Sequence, residues 1–89
     1  MNVQNMTGKN GRAIPNQFEV IDSEGREWFQ SYKSMIAVKG LDGIVSLDSE
    51  YWNYSNTTSK YRNQFLGMTT KEVKEGIKNG NILLTNLNG

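Results

Sequence analysis

From Gln17 to Asp48 apolar and polar side chains alternate with a period of two, and from Ser55 to Asn79 the period lengthens to that of a helix. Phe18 and Val20 fall on one side of a strand, Glu19 and Ile21 on the other, and Asp22-Ser23-Glu24-Gly25 supplies a turn. The chain returns as Arg26 to Tyr32, with Glu27, Phe29 and Ser31 opposing Arg26, Trp28, Gln30 and Tyr32. A second hairpin joins the strands 34–39 and 44–48 through Gly40-Leu41-Asp42-Gly43, whose Asp-Gly pair is a strong turn signal. Four antiparallel strands are expected.

The helical part is marked by its ends. Ser55, Asn56, Thr57 and Thr58 offer N-caps to a helix through Leu66, which sets Tyr61 and Phe65 on one face, exposes Lys60 and Asn63, and stops at Gly67. Thr69-Thr70-Lys71-Glu72 has the spacing of a capping box, and Met68 and Val73 that of a hydrophobic staple. Val73 and Ile77 then face the core, and Asn79-Gly80 ends the helix. Gly76 in its middle costs about 1 kcal/mol relative to Ala, so the helix depends on docking. Residues 82–87 form a short apolar run, read as a strand on the sheet edge or an extended tail. Residues 1–15 carry scattered apolar side chains without a period and read as a flexible, dispensable leader. The expected fold is α+β: a four-stranded antiparallel sheet, two short helices and a C-terminal strand or tail, in a single domain over residues 16–89.

Composition narrows the chemistry. The 89 residues include no Cys and no His, which removes disulfides, thiolate nucleophiles, the commonest metal ligand and the commonest neutral-pH base. Ser59-Lys60 and Lys33-Ser34 are adjacent pairs whose side chains diverge, and Asp42, Asp48 and Glu50 sit beside turns, where acids serve the backbone. No phosphate-binding Gly pattern and no calcium-loop spacing occurs. A non-enzymatic protein without cofactor or metal is expected, with a carboxylate enzyme or a virion component as weaker readings. No stretch has the length of a membrane span, and the first residues lack the layout of a secretory signal, so a soluble, unexported protein is expected.

The net charge of +1 hides an uneven layout. Residues 1–18 carry Lys9 and Arg12 and no acid, residues 19–50 carry seven acids against three bases, and residues 51–89 five bases against two acids. A basic surface can therefore form on a nearly neutral chain, although solvated charges explain the same layout.

The stretch from Tyr51 to Gln64 holds four aromatic rings, two cations and a run of hydroxyls and amides. Trp52 and Tyr54 suit aromatic anchors, Lys60 and Arg62 charge complementarity, and Ser55, Thr57 and Thr58 neutral polar contacts. The same residues have a structural reading, in which Tyr51, Trp52 and Tyr61 cap the sheet and Ser55 to Ser59 only start the helix.

Residues 29–37, Leu47-Asp48 and residues 51–67 carry a resemblance. Their core, Tyr54-Ser55-Asn56-Thr57-Thr58 followed by Phe65-Leu66, resembles small proteins of bacteriophages and other mobile elements in which a Tyr-Ser-x-Thr-Thr core precedes a Phe-Leu pair. The likeness spans roughly residues 17–87. It implies a virus-encoded protein in the cytoplasm of a bacterial host, acting as a binding module and, in the sharper form, as an inhibitor of a host or CRISPR-type defence protein. The leading expectation is a protein partner held by the segment 51–64. The alternative is a small nucleic-acid-binding accessory protein, and a homo-oligomer is compatible with either.

Overall fold

In the computed structural model, which describes residues 2–89, the strands are β1 (Asn2–Thr7), β2 (Ala13–Ile21), β3 (Glu27–Ser31), β4 (Ser34–Lys39), β5 (Val45–Asp48) and β6 (Ile82–Thr85), with helices α1 (Asn56–Leu66) and α2 (Thr70–Asn79) between β5 and β6. They form one six-stranded sheet in sequence order. The hairpins expected from the alternation are β2–β3 and β4–β5, closed by turns in which Gly25 and Gly43 take φ of 89° and 81°. The C-terminal run expected as an edge strand or a tail is the edge strand β6, and a further strand is added at the opposite edge, so the expected four-stranded antiparallel sheet is corrected to a mixed six-stranded one. β6 lies parallel to β5, because the two helices carry the chain back over the sheet before it re-enters.

The other added strand comes from the segment read as a flexible leader. Asn2–Thr7 pairs antiparallel with β2, whose first residues, Ala13 to Pro15, also fall in that segment. The ladder is irregular between Asn5 and Thr7, and the bulged residue, Met6, turns into the core at 2 % exposure. Its two apolar side chains, Val3 and Met6, lie three residues apart and so show no strand period, which is why the strand escaped the pattern.

The two helices cover one face of the sheet. Phe29 stacks on Phe65 at 5.8 Å between ring centroids, and Met6, Ile36, Ala37, Leu47, Val73 and Ile82 complete the core. Both helix starts follow the sequence grammar. Ser55 Oγ accepts from the Thr58 N–H, and Thr69 and Glu72 form the reciprocal capping box. Gly76 answers a packing need: a Cβ there would lie 2.6 Å from Ile82 Cδ1, so glycine lets α2 approach β6.

Candidate functional site

The face of α1 turned to the sheet is Thr58, Arg62 and Phe65, with Tyr61 half-buried beside it. Arg62, expected at an interface, is 0 % exposed. Its Nη1 donates to the Trp52 carbonyl at 2.6 Å, its Nη2 and Nε to Asn63 Oδ1 at 2.9 and 3.2 Å, and its guanidinium lies 5.5 Å from the Trp52 ring centroid. None of its hydrogen-bond partners is a carboxylate, and burial pushes its pKa below the usual arginine value. Arg62 is therefore corrected from a contact residue to the internal tie of the loop 49–54. Trp52 is half-buried against it.

Thr58 is likewise enclosed, at 1 % exposure. Its Oγ1 lies 3.1 Å from Ser55 Oγ and 3.2 Å from Ser31 Oγ, so a chain of three hydroxyls pins the start of α1 to the end of β3. Asn53 Oδ1 accepts from Ser59 Oγ at 2.8 Å and closes the other side of the same turn. These bonds fix the segment that ends in Tyr54, which stands 68 % exposed with its ring edge-on to Tyr51 at 5.7 Å.

Tyr54, Ser55, Thr57 and Thr58 line a groove of about 820 Å³. Its opposite wall is the link between β3 and β4, Tyr32-Lys33, together with Asn16. Tyr32 adopts φ 55° in a two-residue turn at a position where Gly or Asn is usual, and its N–H donates to the carbonyl of Asn16, itself at φ 64°, at 2.7 Å. The strained turn holds the Tyr32 ring out, 55 % exposed. Across the ladder from Ser31, Gln17 is 1 % exposed, and neither polar atom of its amide has a hydrogen-bond partner among the described residues.

Lys60 belongs to a different surface. It lines a groove of about 620 Å³ with Lys9, Arg12, Tyr61 and Gln64, and no acid contributes to that lining. The β1–β2 hairpin brings its two cations there, anchored by Gln64 Nε2 donating to the Thr7 carbonyl at 2.9 Å. The seven expected contact residues thus divide: Tyr54, Ser55 and Thr57 lie on one groove and Lys60 on another, Trp52 is half-buried, and Thr58 and Arg62, both enclosed, are corrected from contact residues to internal ties. Sequence reasoning missed Tyr32, Lys33, Lys9 and Arg12. The first pair had a signal, two strands abutting across two residues with no Gly or Asn between them.

Two carboxylates organise the loops. The Trp28 indole N–H, 3.0 Å from Asp22, and the Arg26 and Glu24 donors hold the Asp22 carboxyl well below the usual carboxylate range against the opposing effect of burial. Burial pushes Asp48 up, yet the N–H groups of Leu87, Tyr51 and Glu50 and the Asn88 amide outweigh it and hold it low. Asp48 thereby ties the C-terminal tail to the loop before α1.

Among the described residues no cluster of three or more acidic, His or Cys side chains could hold a metal ion, and no helix is long and apolar enough to cross a membrane. No curated protein and no solved structure matches the chain. A family model does match, over residues 1–80: the chain belongs to the family of unknown function DUF8033.

Proposed function

We propose that this is a non-enzymatic binding protein of phage or mobile-element origin that grips a protein partner in the groove between Tyr32 and Tyr54. Inhibition of a host or defence protein is the sharper form of this reading. The observation that carries it is Tyr32, an aromatic side chain kept half out of the protein by a backbone conformation that costs of order 1–3 kcal/mol. Strain of that kind persists where the surrounding structure enforces it, and a tyrosine so held loses little entropy on binding. Tyr54 stands on the other wall, fixed by the Ser55–Thr58–Ser31 hydroxyl chain, and Lys33 adds one cation for an acidic rim. Two exposed tyrosines on rigid supports, around a groove with small hydroxyls at its floor, have the makeup of a protein hot spot.

Paired affinity capture from a bacterial host tests the reading, using the wild-type chain and the Tyr32→Ala, Tyr54→Ala double variant. A partner retained by the first and lost by the second, with both chains equally folded, supports it. Equal capture by both contradicts it.

A second reading rests on the other groove. Lys9, Arg12 and Lys60 converge without an acid among the lining residues, and Tyr61 supplies a ring beside them, a layout that suits a phosphate backbone. Three cations predict weak binding whose logarithm falls with log salt at a slope of about −2 to −3. Fluorescence anisotropy with single- and double-stranded probes at two salt concentrations decides it, and no binding at low salt eliminates it.

A further inference from the structure

The groove between Tyr32 and Tyr54 and the cationic groove abut along α1. Asn16 lines the first and Pro15, the residue before it, the second, while Thr57 of the first is followed one helical turn later by Lys60 and Tyr61 of the second. Together they make a track along α1 from Ser55 to Gln64, a rise of roughly 14 Å at about 1.5 Å per residue. An extended peptide covers that length with about four residues. The track is electrically one-sided. Its charged lining residues are Lys33 in the first groove and Lys9, Arg12 and Lys60 in the second, and no acid lines either, although the chain has nine. Nor are these cations neutralised internally: among the described residues the ion pairs are made by Arg26 and Lys39. Two contacts hold the cluster in shape. Gln64 Nε2 donates to the Thr7 carbonyl at 2.9 Å, which fixes the hairpin that carries Lys9 and Arg12, and Lys60 Nζ sits 5.2 Å from the centroid of the Tyr61 ring.

We infer that the two grooves are one binding track, and that the partner gripped between Tyr32 and Tyr54 lays an acidic segment along α1 onto Lys9, Arg12 and Lys60. This rests on the binding role proposed for the tyrosine groove and adds the partner's charge to it. Unpaired cations with no acid between them select an anion, and they steer and orient it more than they add raw affinity. The extent of the cluster favours a protein segment over a nucleic acid. The depression just past it, at Phe65, is lined by Glu19 and Glu27 beside Lys39, and the net charge of the whole chain is only +1. A phosphate backbone carries its charge on every nucleotide and would run on into those acids, whereas a protein confines its carboxylates to a few residues.

Two measurements on the full chain test the inference. In the first, fluorescence anisotropy at low salt follows labelled hexaglutamate and an oligothymidylate of matched charge on the wild type and on a Lys9→Glu, Lys60→Glu double variant. Both side chains are exposed, so the fold tolerates the change, and circular dichroism verifies that it does. Hexaglutamate is expected to bind the wild type better than the oligonucleotide does, and to bind the double variant at least about tenfold more weakly. No binding of hexaglutamate, or equal binding by the double variant, overturns the inference; tighter binding of the oligonucleotide overturns it in favour of a nucleic acid. In the second, a photoreactive phenylalanine analogue replaces Ala13, an exposed lining residue of the cationic groove, and leaves every cation in place. The same protein is expected to crosslink from position 13 as from an analogue at position 54, and the peptide attached at position 13 to carry a run of Asp and Glu. A discrete protein from position 54 with no product, a different protein or a non-acidic peptide from position 13 overturns the inference and leaves the tyrosine groove standing. No product from position 54 overturns both.

Discussion

The guanidinium of Arg62 donates to the carbonyl of Trp52 across 2.6 Å, and with that bond a helix residue holds the backbone of the loop that presents Tyr54. The cation is enclosed, carries no carboxylate partner, and is satisfied by a carbonyl, side-chain amides and the Thr70 hydroxyl. Such an arrangement is expensive to break from one side, since each orphaned buried acceptor costs about 1–3 kcal/mol.

Arg62→Met is accordingly expected to destabilise the protein by about 2–4 kcal/mol, because the apolar stem is kept and the guanidinium with its donors is lost. Arg62→Glu, which sets an anion among acceptors, should not fold. Chemical denaturation measures both, and a variant within about 0.5 kcal/mol of wild type would return Arg62 to the surface.

Met6→Ala is expected to cost about 2–5 kcal/mol, the penalty for truncating a buried Met, even though the residue lies in an N-terminal segment with no hydrophobic period. Removal of residues 2–7 should lower the melting temperature further by uncovering β2 as an edge. An unchanged melting temperature for the truncated chain would show that β1 contributes nothing to the fold.

What could be read from the sequence was what local chemistry decides. Thr69 and Glu72 announce the start of α2 because both halves of a capping box lie within four residues, and Asp42-Gly43 announces a hairpin for the same reason. Met6 is different: it faces inward only because a bulge against β2 turns it there. The burial of Arg62 depends on where the loop 49–54 puts its carbonyl, and the meeting of Lys9, Arg12 and Lys60 on how the β1–β2 hairpin docks on α1. Half the candidate groove was legible, in Tyr54 to Thr58. The half built by Tyr32 rests on a left-handed backbone angle that a tyrosine does not advertise.

Gln17→Met is expected to stabilise the protein by about 1–2 kcal/mol, since the amide is buried without a partner among the described residues and the replacement is an unbranched apolar chain of similar length. Thermal melts measure it. A loss of stability would show that the amide is paired in solution.

Acid should weaken the fold with a defined sign. Asp22 and Asp48 titrate below their ordinary value of 3.8 when folded, so the unfolded chain takes up protons first. Their contribution is full above about pH 5, begins to fall near pH 4 and continues to be lost toward the folded values. Melting temperatures from pH 7 to pH 2 follow it, and Asp48→Asn should start lower and show a shallower acid limb. A melting temperature that rises on acidification would contradict the assignment.

Site-specific photocrosslinking shows whether the groove between Tyr32 and Tyr54 holds a partner. A photoreactive phenylalanine analogue replaces Tyr54 in one chain and Lys74, on the outer face of α2, in another, and each is expressed in a bacterial host. A discrete crosslinked protein is expected from position 54, weakened when Tyr32→Ala is added, and none from position 74. A position 54 that yields no discrete product, or one indifferent to Tyr32, would mean that the groove is not where this protein meets its partner.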